Sequence, residues 1–245
     1  MSFVDQFNKN TKSSNSTNNA TMRQTHIDTQ QVSRSQSETS TFLKQTYQLF
    51  AGSLLSGTVG AYIGLDVAST IQSWFWGLVI LELALLFGVY KTKRNPPVAL
   101  FMLFAFTFMS GLILAPLLTN ILAMPTGAGI VANAFMLTTV IFGALSIYAM
   151  STRTSYMEMG KGLFIALIIV IIGSVINIFL GSPILQIIIA SVGAMLFSAF
   201  ILYDTQNIIN GNYETPIEGA VALYLDFLNL FISLLQILGI LSSDD

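Results

Sequence analysis

The sequence contains no cysteine, a single histidine and few charged residues. Without cysteine, the chain cannot form disulfides, use a thiolate nucleophile or bind zinc through thiolates. The only histidine, His26, lies in a polar N-terminal segment, which excludes serine–histidine proteolysis. Charged residues make up 9% of the chain, whereas soluble domains contain about 25%. This scarcity of charge predicts an integral membrane protein.

Long hydrophobic runs take the place of the missing charge. Hydrophobic residues form 53% of the chain, and the mean hydropathy is +0.71. A membrane-spanning helix needs roughly 17–25 apolar residues, and uninterrupted runs of that length argue against the alternating strands of a β-barrel. The sequence therefore predicts an all-α membrane protein, a bundle of seven transmembrane helices at residues 46–66, 73–90, 97–119, 128–150, 162–180, 183–204 and 219–241.

The first 41 residues have a different composition from the rest of the chain. They are rich in Ser, Thr, Asn and Gln, as in TKSSNSTNNAT (Thr11–Thr21). Such a segment buries too little apolar surface to offset the entropy lost on ordering, so residues 1–41 are predicted to be a disordered cytoplasmic tail. This tail has no apolar stretch typical of a cleavable signal peptide. The seven-helix domain is accordingly predicted at residues 42–245.

The basic residues predict how the chain is oriented in the membrane. All ten fall in the N-terminal segment or in alternate loops, and the opposite loops contain none: Lys9, Lys12, Arg23, Arg34, Lys44, Lys91, Lys93, Arg94, Arg153 and Lys161. Short loops rich in Lys and Arg stay on the cytoplasmic side. The N-terminus is therefore predicted to be cytoplasmic and, after seven spans, the C-terminus to be outside.

This orientation is directly testable with reporter fusions. A reporter fused after Asp245 is expected to read outside the cytoplasm, and the same reporter at the N-terminus is expected to read inside. Both reporters on one side of the membrane would contradict an odd number of spans.

Ionisable residues are rare within the predicted spans and mark candidate functional positions. Glu82 lies in the second helix, Asp204 at the cytoplasmic end of the sixth, and Asp226 about two turns into the seventh. Intramembrane acids usually face a cavity or a partner rather than lipid. The alternatives are a solvated helix end for Asp204 and an internal structural hydrogen bond for Asp226.

The seventh helix carries a stripe of small and polar residues along one face. Its members follow spacings of three and four: Gly219, Ala222, Asp226, Asn229, Ser233 and Gln236. Small residues alone are typical of close helix packing, whereas the polar residues favour a lined cavity. Asp204 and Asp226 lie at similar depth on antiparallel helices. Two carboxylates that approach closely share a proton, which makes this pair a plausible pH sensor.

The end of the second helix supplies candidate cations for this pair. Lys93 lies on the same face as Glu82, about 16 Å further along the helix axis and level with the two aspartates. Arg94 is offset around the helix, but its forked guanidinium is better suited to clamping carboxylates. Both residues could equally be a topology signal only.

Two segments strongly resemble the end of the Bax inhibitor-1 family, also called the transmembrane Bax-inhibitor-motif family. They are SAFILYDTQNII (Ser198–Ile209) and ALYLDFLNLFISLLQILG (Ala222–Gly239). A third segment, FMSGLILAPLL (Phe108–Leu118), is similar to the Gly-to-Pro signature of that family's third helix. The resemblance covers about residues 42–241 and suggests a bacterial member.

The resemblance implies seven helices with the seventh at the centre, and in bacterial members a pH-responsive aspartate pair that gates a calcium leak. Asp204 and Asp226 fall on the positions of that pair, and Glu82 matches the acid of the ion path. The basic latch would be Lys93 or Arg94. No cofactor is expected. Asn229 would join the ion path, and together with the acids it would form only a loose, transient calcium site.

Other functions fit the sequence to different degrees. A retinal protein would need a lysine in its last helix, which this chain lacks. An intramembrane aspartyl protease would also pair two aspartates, but the GxGD and PAL motifs of the presenilin type are missing. A non-conducting regulator that binds a membrane protease or another membrane complex remains the main alternative to the leak. The sequence predicts no enzyme and, at a net charge of −2, no nucleic-acid partner.

Overall fold

The computed structural model describes residues 37–242 and contains no strand within them. Seven helices in this range are long and apolar enough to cross a membrane. This confirms the predicted all-α fold and the number of spans. The helices are α1 (Ser37–Asp66), the short α2 (Ala68–Ser73), α3 (Phe75–Thr92), α4 (Pro96–Leu122), α5 (Gly127–Ser151), α6 (Gly160–Leu180), α7 (Pro183–Ile209) and α8 (Pro216–Leu241), with a 3₁₀ turn at Met157–Met159.

The predicted second, sixth and seventh helices are α3, α7 and α8. Several of the helix ends follow from local chemistry. Proline occupies the first turn of α4, α7 and α8, where its missing N–H leaves no helical hydrogen bond unmade. Gly181 ends α6 with a φ of 60°, a left-handed conformation that glycine adopts without strain.

The N-terminal boundary of the first helix differs from the prediction. Residues 1–36 of the predicted tail lie outside the described residues, whereas residues 37–41 are helical and form the first turns of α1. The Thr41 hydroxyl donates a hydrogen bond to the Ser37 carbonyl, 2.9 Å away. Ser and Thr hydroxyls can donate to backbone carbonyls within a helix in this way. The helix therefore includes polar residues that the predicted apolar window, which opened at residue 46, left out.

Helices α1 and α4 cross in close contact at glycines. A Cβ on Gly60 would overlap the carbonyl oxygen of Phe108, and a Cβ on Gly111 would overlap that of Gly57. The two backbones therefore touch, as small residues allow in membrane helix pairs. This contact packs α1, at Gly57 and Gly60, against α4, the helix that carries Ser110.

Helix α8 is the most buried of the described spans. In its most apolar window 56% of the residues are buried, compared with 6% in α3 and 11% in α6. It packs against α3, α4, α5 and α7, whereas α6 packs on α7. Leu223, Leu230 and Leu235 are fully buried on it, so its apolar faces meet neighbouring helices. A central position for α8 stays an expectation from the family resemblance.

Candidate functional site

The two aspartates singled out from the sequence lie together between α7 and α8. Asp204 is 6% exposed and Asp226 is 3% exposed. Their side chains are in direct electrostatic and hydrogen-bonding range of each other. Because α7 and α8 are consecutive and antiparallel, Asp226 near the start of α8 lies at the same depth as Asp204 near the end of α7. The expected proximity of the pair is therefore present in the structure.

Asp204 is not a solvated helix end. Helix α7 continues for more than a turn beyond it, to Ile209, and the carboxylate is held by neighbouring side chains. The Tyr213 hydroxyl donates a hydrogen bond to Asp204 Oδ1 over 2.7 Å. Asn207, about one turn further along α7, is also within hydrogen-bonding range of this carboxylate. The structure thus excludes the solvated alternative for this residue.

Asp226 has an unsatisfied oxygen. Its Oδ2 atom is buried and has no hydrogen-bond donor among the described residues. Leaving a buried carboxylate oxygen without a donor is costly in a low-dielectric interior. An ionised carboxylate can only accept hydrogen bonds, so a bond between Asp204 and Asp226 requires one of them to carry a proton. Asp204 and Asp226 are therefore close enough to share a proton.

Two other members of the small-and-polar stripe on α8, Gly219 and Ser233, pack tightly rather than face open space. A Cβ on Gly193 of α7 would lie 2.8 Å from the Ser233 hydroxyl, and Gly219 abuts Ile208. Asn229 donates its side-chain amide to the Leu225 carbonyl, 2.7 Å away on its own helix. At Gly219 and Ser233 the stripe serves close helix packing, the alternative recognised from the sequence.

Glu82 belongs to a separate polar group. It accepts a hydrogen bond of 2.5 Å from the Ser110 hydroxyl of α4. The Tyr224 side chain lies within electrostatic range of Glu82 and donates to the Thr107 carbonyl over 3.1 Å. Tyr224 and Asp226 are two residues apart, roughly 200° around the helix. Glu82 therefore meets the face of α8 opposite the aspartate pair and does not contact that pair.

The basic residues at the end of α3 contact acids other than the two aspartates. The Lys93 ammonium lies 2.8 Å from Glu218 and 3.1 Å from Glu214, and Arg94 lies 3.4 Å from Glu214. The hydrogen bonds that Lys93 donates to Glu218 and Glu214 raise the pKa of Lys93 above its ordinary value. The hydrogen bond from Lys93 lowers the pKa of Glu214. Arg94 has an 84% exposed side chain, so its ion pair is solvated and weak.

Sequence reasoning missed Glu214 and Glu218, although a local signal was present. Thr215 and Glu218 form a capping box, in which the Thr215 hydroxyl accepts from the Glu218 N–H. In return Glu218 Oε2 accepts from the N–H groups of Glu214 and Thr215, at 2.9 and 3.1 Å. The spacing T-x-x-E before an apolar run is a recognised helix start. The predicted window opened at Gly219, one residue too late to include this acid.

Gln206 is a second residue that the sequence did not single out. It is 6% exposed and lies on α7 two residues beyond Asp204. Its side-chain amide donates to the Thr154 carbonyl and accepts from the Tyr156 N–H, each over 2.7 Å. These two bonds tie the connection between α5 and α6 to the end of α7 that carries Asp204.

Metal-binding capacity at the pair is limited to two carboxylates. Within residues 37–242 no group of three or more His, Cys, Asp or Glu is placed to hold a metal ion. Calcium takes six to eight oxygen ligands, so most of its ligands at this position would have to be water or backbone carbonyls.

Comparisons with known proteins match most of this chain, including its last two helices. The family model described as "Inhibitor of apoptosis-promoting Bax1" matches residues 39–243. An uncharacterised protein of Campylobacter jejuni is 56% identical over 206 residues, 82% of this chain and 89% of its own. The "Modulator of FtsH protease YccA" of Escherichia coli K12 is 35% identical over 206 residues, 82% and 91% of the two chains. In a second E. coli strain the equally similar relative is named "Inner membrane protein YccA".

Proposed function

The chain belongs to the Bax inhibitor-1 family, and from that premise we propose that it is a pH-sensitive cation leak pathway controlled by Asp204 and Asp226. Calcium is the proposed transported ion. The observation that carries the proposal is the buried contact between the two carboxyl groups. Neither Lys93 nor Arg94 forms an ion pair with Asp204 or Asp226, because both form ion pairs with other acids. A buried acid pair without a cation is expected to exchange protons with the cytoplasm as the pH changes.

The proposed gate closes when the pair shares a single proton. In that state a hydrogen bond links α7 to α8 and the remaining negative charge is held by the Tyr213 hydroxyl. Uptake of a second proton at acidic cytoplasmic pH removes the charge and the need for the link, so the helices can separate. A site of two carboxylates binds calcium loosely, which suits a path that ions must leave as well as enter. Glu82 and Asn229 are the proposed further residues of the ion path.

The test is cation flux through the purified protein in liposomes of defined orientation. Calcium, potassium and proton fluxes are compared while the pH on the face that carries Lys93 is varied from 8 to 6. We expect calcium flux to rise by about tenfold over this range, since the protonated fraction of a single group that titrates midway through it rises about tenfold from one end to the other. Equal flux in protein-free liposomes at every pH would contradict the leak.

A second candidate function is modulation of a membrane protease without conduction. It is favoured by one observation, the name of the 35% identical E. coli relative as a modulator of FtsH protease. In this case the protein would bind the FtsH-type protease of its own host within the bilayer. Co-purification with that protease and altered degradation of its substrates, with no flux in liposomes, would select this function over the leak.

The protein is proposed to act without catalysis and to reside in the bacterial inner membrane with its N-terminus in the cytoplasm. The E. coli relative is named a modulator in one strain and an inner membrane protein in another. Proteolysis by Asp204 and Asp226 receives no support from these names. The one-sided distribution of Lys and Arg supports the orientation.

A further inference from the structure

The loop between α7 and α8, residues 210–215, contacts the aspartate pair through Tyr213 and Asp204. It turns at Gly211, whose φ of 70° is in the left-handed region. Asn212 then donates its backbone N–H to the Asn207 carbonyl at 2.9 Å and its side-chain amide to Asn207 Oδ1 at 2.8 Å. These bonds fold the loop back on the last turn of α7. The next residue, Tyr213, is thereby directed at Asp204.

Tyr213 is a hydrogen-bond donor to Asp204. Burial raises the pKa of its phenol well above the ordinary value, and the nearby Asp204 carboxylate raises it further. The phenol therefore stays protonated throughout the physiological range and its hydroxyl continues to donate to Asp204 Oδ1. A hydrogen bond to a charged group is stronger than one between neutral groups. Tyr90 of α3 is the other tyrosine within electrostatic range of both aspartates.

The far end of the loop is fastened to α3 through Glu218. One oxygen of this buried carboxylate accepts from Lys93, and the other accepts from the backbone of Glu214 and Thr215. Glu218 therefore connects Lys93 to the backbone N–H groups of Glu214 and Thr215, the two residues directly after Tyr213. Removal of Lys93 would leave Glu218 as a buried carboxylate without its cation, which is strongly unfavourable.

The contributions of Glu214 and Lys93 do not change with pH near neutrality. Because its pKa is lowered, Glu214 stabilises the folded state above its ordinary pKa of 4.5, and this contribution is lost as the pH falls through the lowered value. Because its pKa is raised, Lys93 stabilises below 10.5, and its contribution is lost as the pH rises through the raised value. Between pH 4.5 and 10.5 both contributions are constant.

We propose that the loop of residues 210–215 is a strap that positions Tyr213 on Asp204, and that Lys93 holds this strap in place through Glu218. Tyr213 is a positioning residue: it sets the charge state of the pair without lying on the path of the ion. Lys93 thus acts on the pair through the loop. This inference rests on the proposed function for its effect on flux, but the strap itself can be measured without flux.

The first experiment measures backbone hydrogen exchange of residues 209–218 in the purified full-length protein. Lys93→Gln is expected to speed exchange at the N–H groups of Glu214 and Thr215 by at least about tenfold, since a hydrogen-bonded charge no longer holds Glu218. Arg94→Gln is the matched control and should change exchange less than about twofold, because exposed ion pairs contribute little. Unchanged exchange in Lys93→Gln would overturn the strap.

The second experiment measures the pH profile of calcium flux in Tyr213→Phe, which lacks only the hydroxyl. Loss of the donor disfavours the charged pair, so half-maximal flux is expected to move to higher pH by about one unit, with the maximal flux at acidic pH retained. Tyr203→Phe, which changes the residue directly before Asp204 on α7 but one that is directed towards Gly160, should leave the profile unchanged. An unshifted profile in Tyr213→Phe would overturn its positioning role. If the wild type shows no flux while Lys93→Gln speeds exchange, the proposed leak fails and the strap stands.

Discussion

Asp226→Asn is expected to remove most of the pH dependence of cation flux in liposomes. In the proposed gate a proton shared between two buried carboxyl groups links α7 to α8, and an amide at position 226 cannot titrate. A wild-type response of about tenfold between pH 8 and 6 should fall below about twofold. Asp204→Asn is expected to act in the same direction, since it removes the partner of the same pair.

The combination of the two substitutions distinguishes a coupled pair from two separate sites. If the carboxyl groups titrate together, the double variant should add little to either single variant, because either one already abolishes the shared proton. Ser233→Ala is the matched control: Ser233 lies on the same stripe of α8, is 7% exposed and is about two helical turns from Asp226. Strictly additive effects would contradict the coupling. An unaltered pH profile in Asp226→Asn would leave this acid with a structural role only.

Gly111→Ala is expected to prevent stable assembly of the bundle. The added methyl would overlap the carbonyl oxygen of Gly57, and this obstacle is backbone, which cannot rotate away as a side chain can. Overpacking in well-packed interiors costs about 1–3 kcal/mol, and a backbone overlap belongs at or beyond the upper end of that range. We expect a large loss of the folded, monodisperse fraction in detergent and a lower unfolding temperature.

Gly143→Ala provides the control for this substitution. Gly143 also lies within a spanning helix, α5, but a Cβ there meets no atom within 4 Å. Alanine is favoured over glycine in a helix interior by roughly 0.5–1 kcal/mol, so this variant should be as stable as the wild type or slightly more stable. Gly60→Ala, which would overlap the Phe108 carbonyl, should behave like Gly111→Ala. Wild-type stability in both Gly111→Ala and Gly60→Ala would contradict the close crossing of α1 and α4.

The amino-acid sequence by itself determined the seven spans and the identity of the aspartate pair. The thickness of the hydrocarbon core sets the length of an apolar run, and this is a local property that needs no knowledge of neighbouring helices. The proximity of Asp204 and Asp226 also followed from local features, because consecutive antiparallel helices return the chain to the same depth. Boundaries were less certain where polar residues continue a helix, as at residues 37–41 of α1.

Only the tertiary structure decided which polar groups meet. Contact between helices depends on how each one is rotated about its axis and where it crosses its neighbours, and the hydropathy of a single helix does not specify either. Glu82 and Lys93 share a face of α3, yet Glu82 bonds Ser110 while Lys93 bonds Glu218. The loop that brings Tyr213 to Asp204 depends on the turn at Gly211 and on a capping box beyond it. These contacts join residues far apart in the chain, so they exist only once the helices have packed.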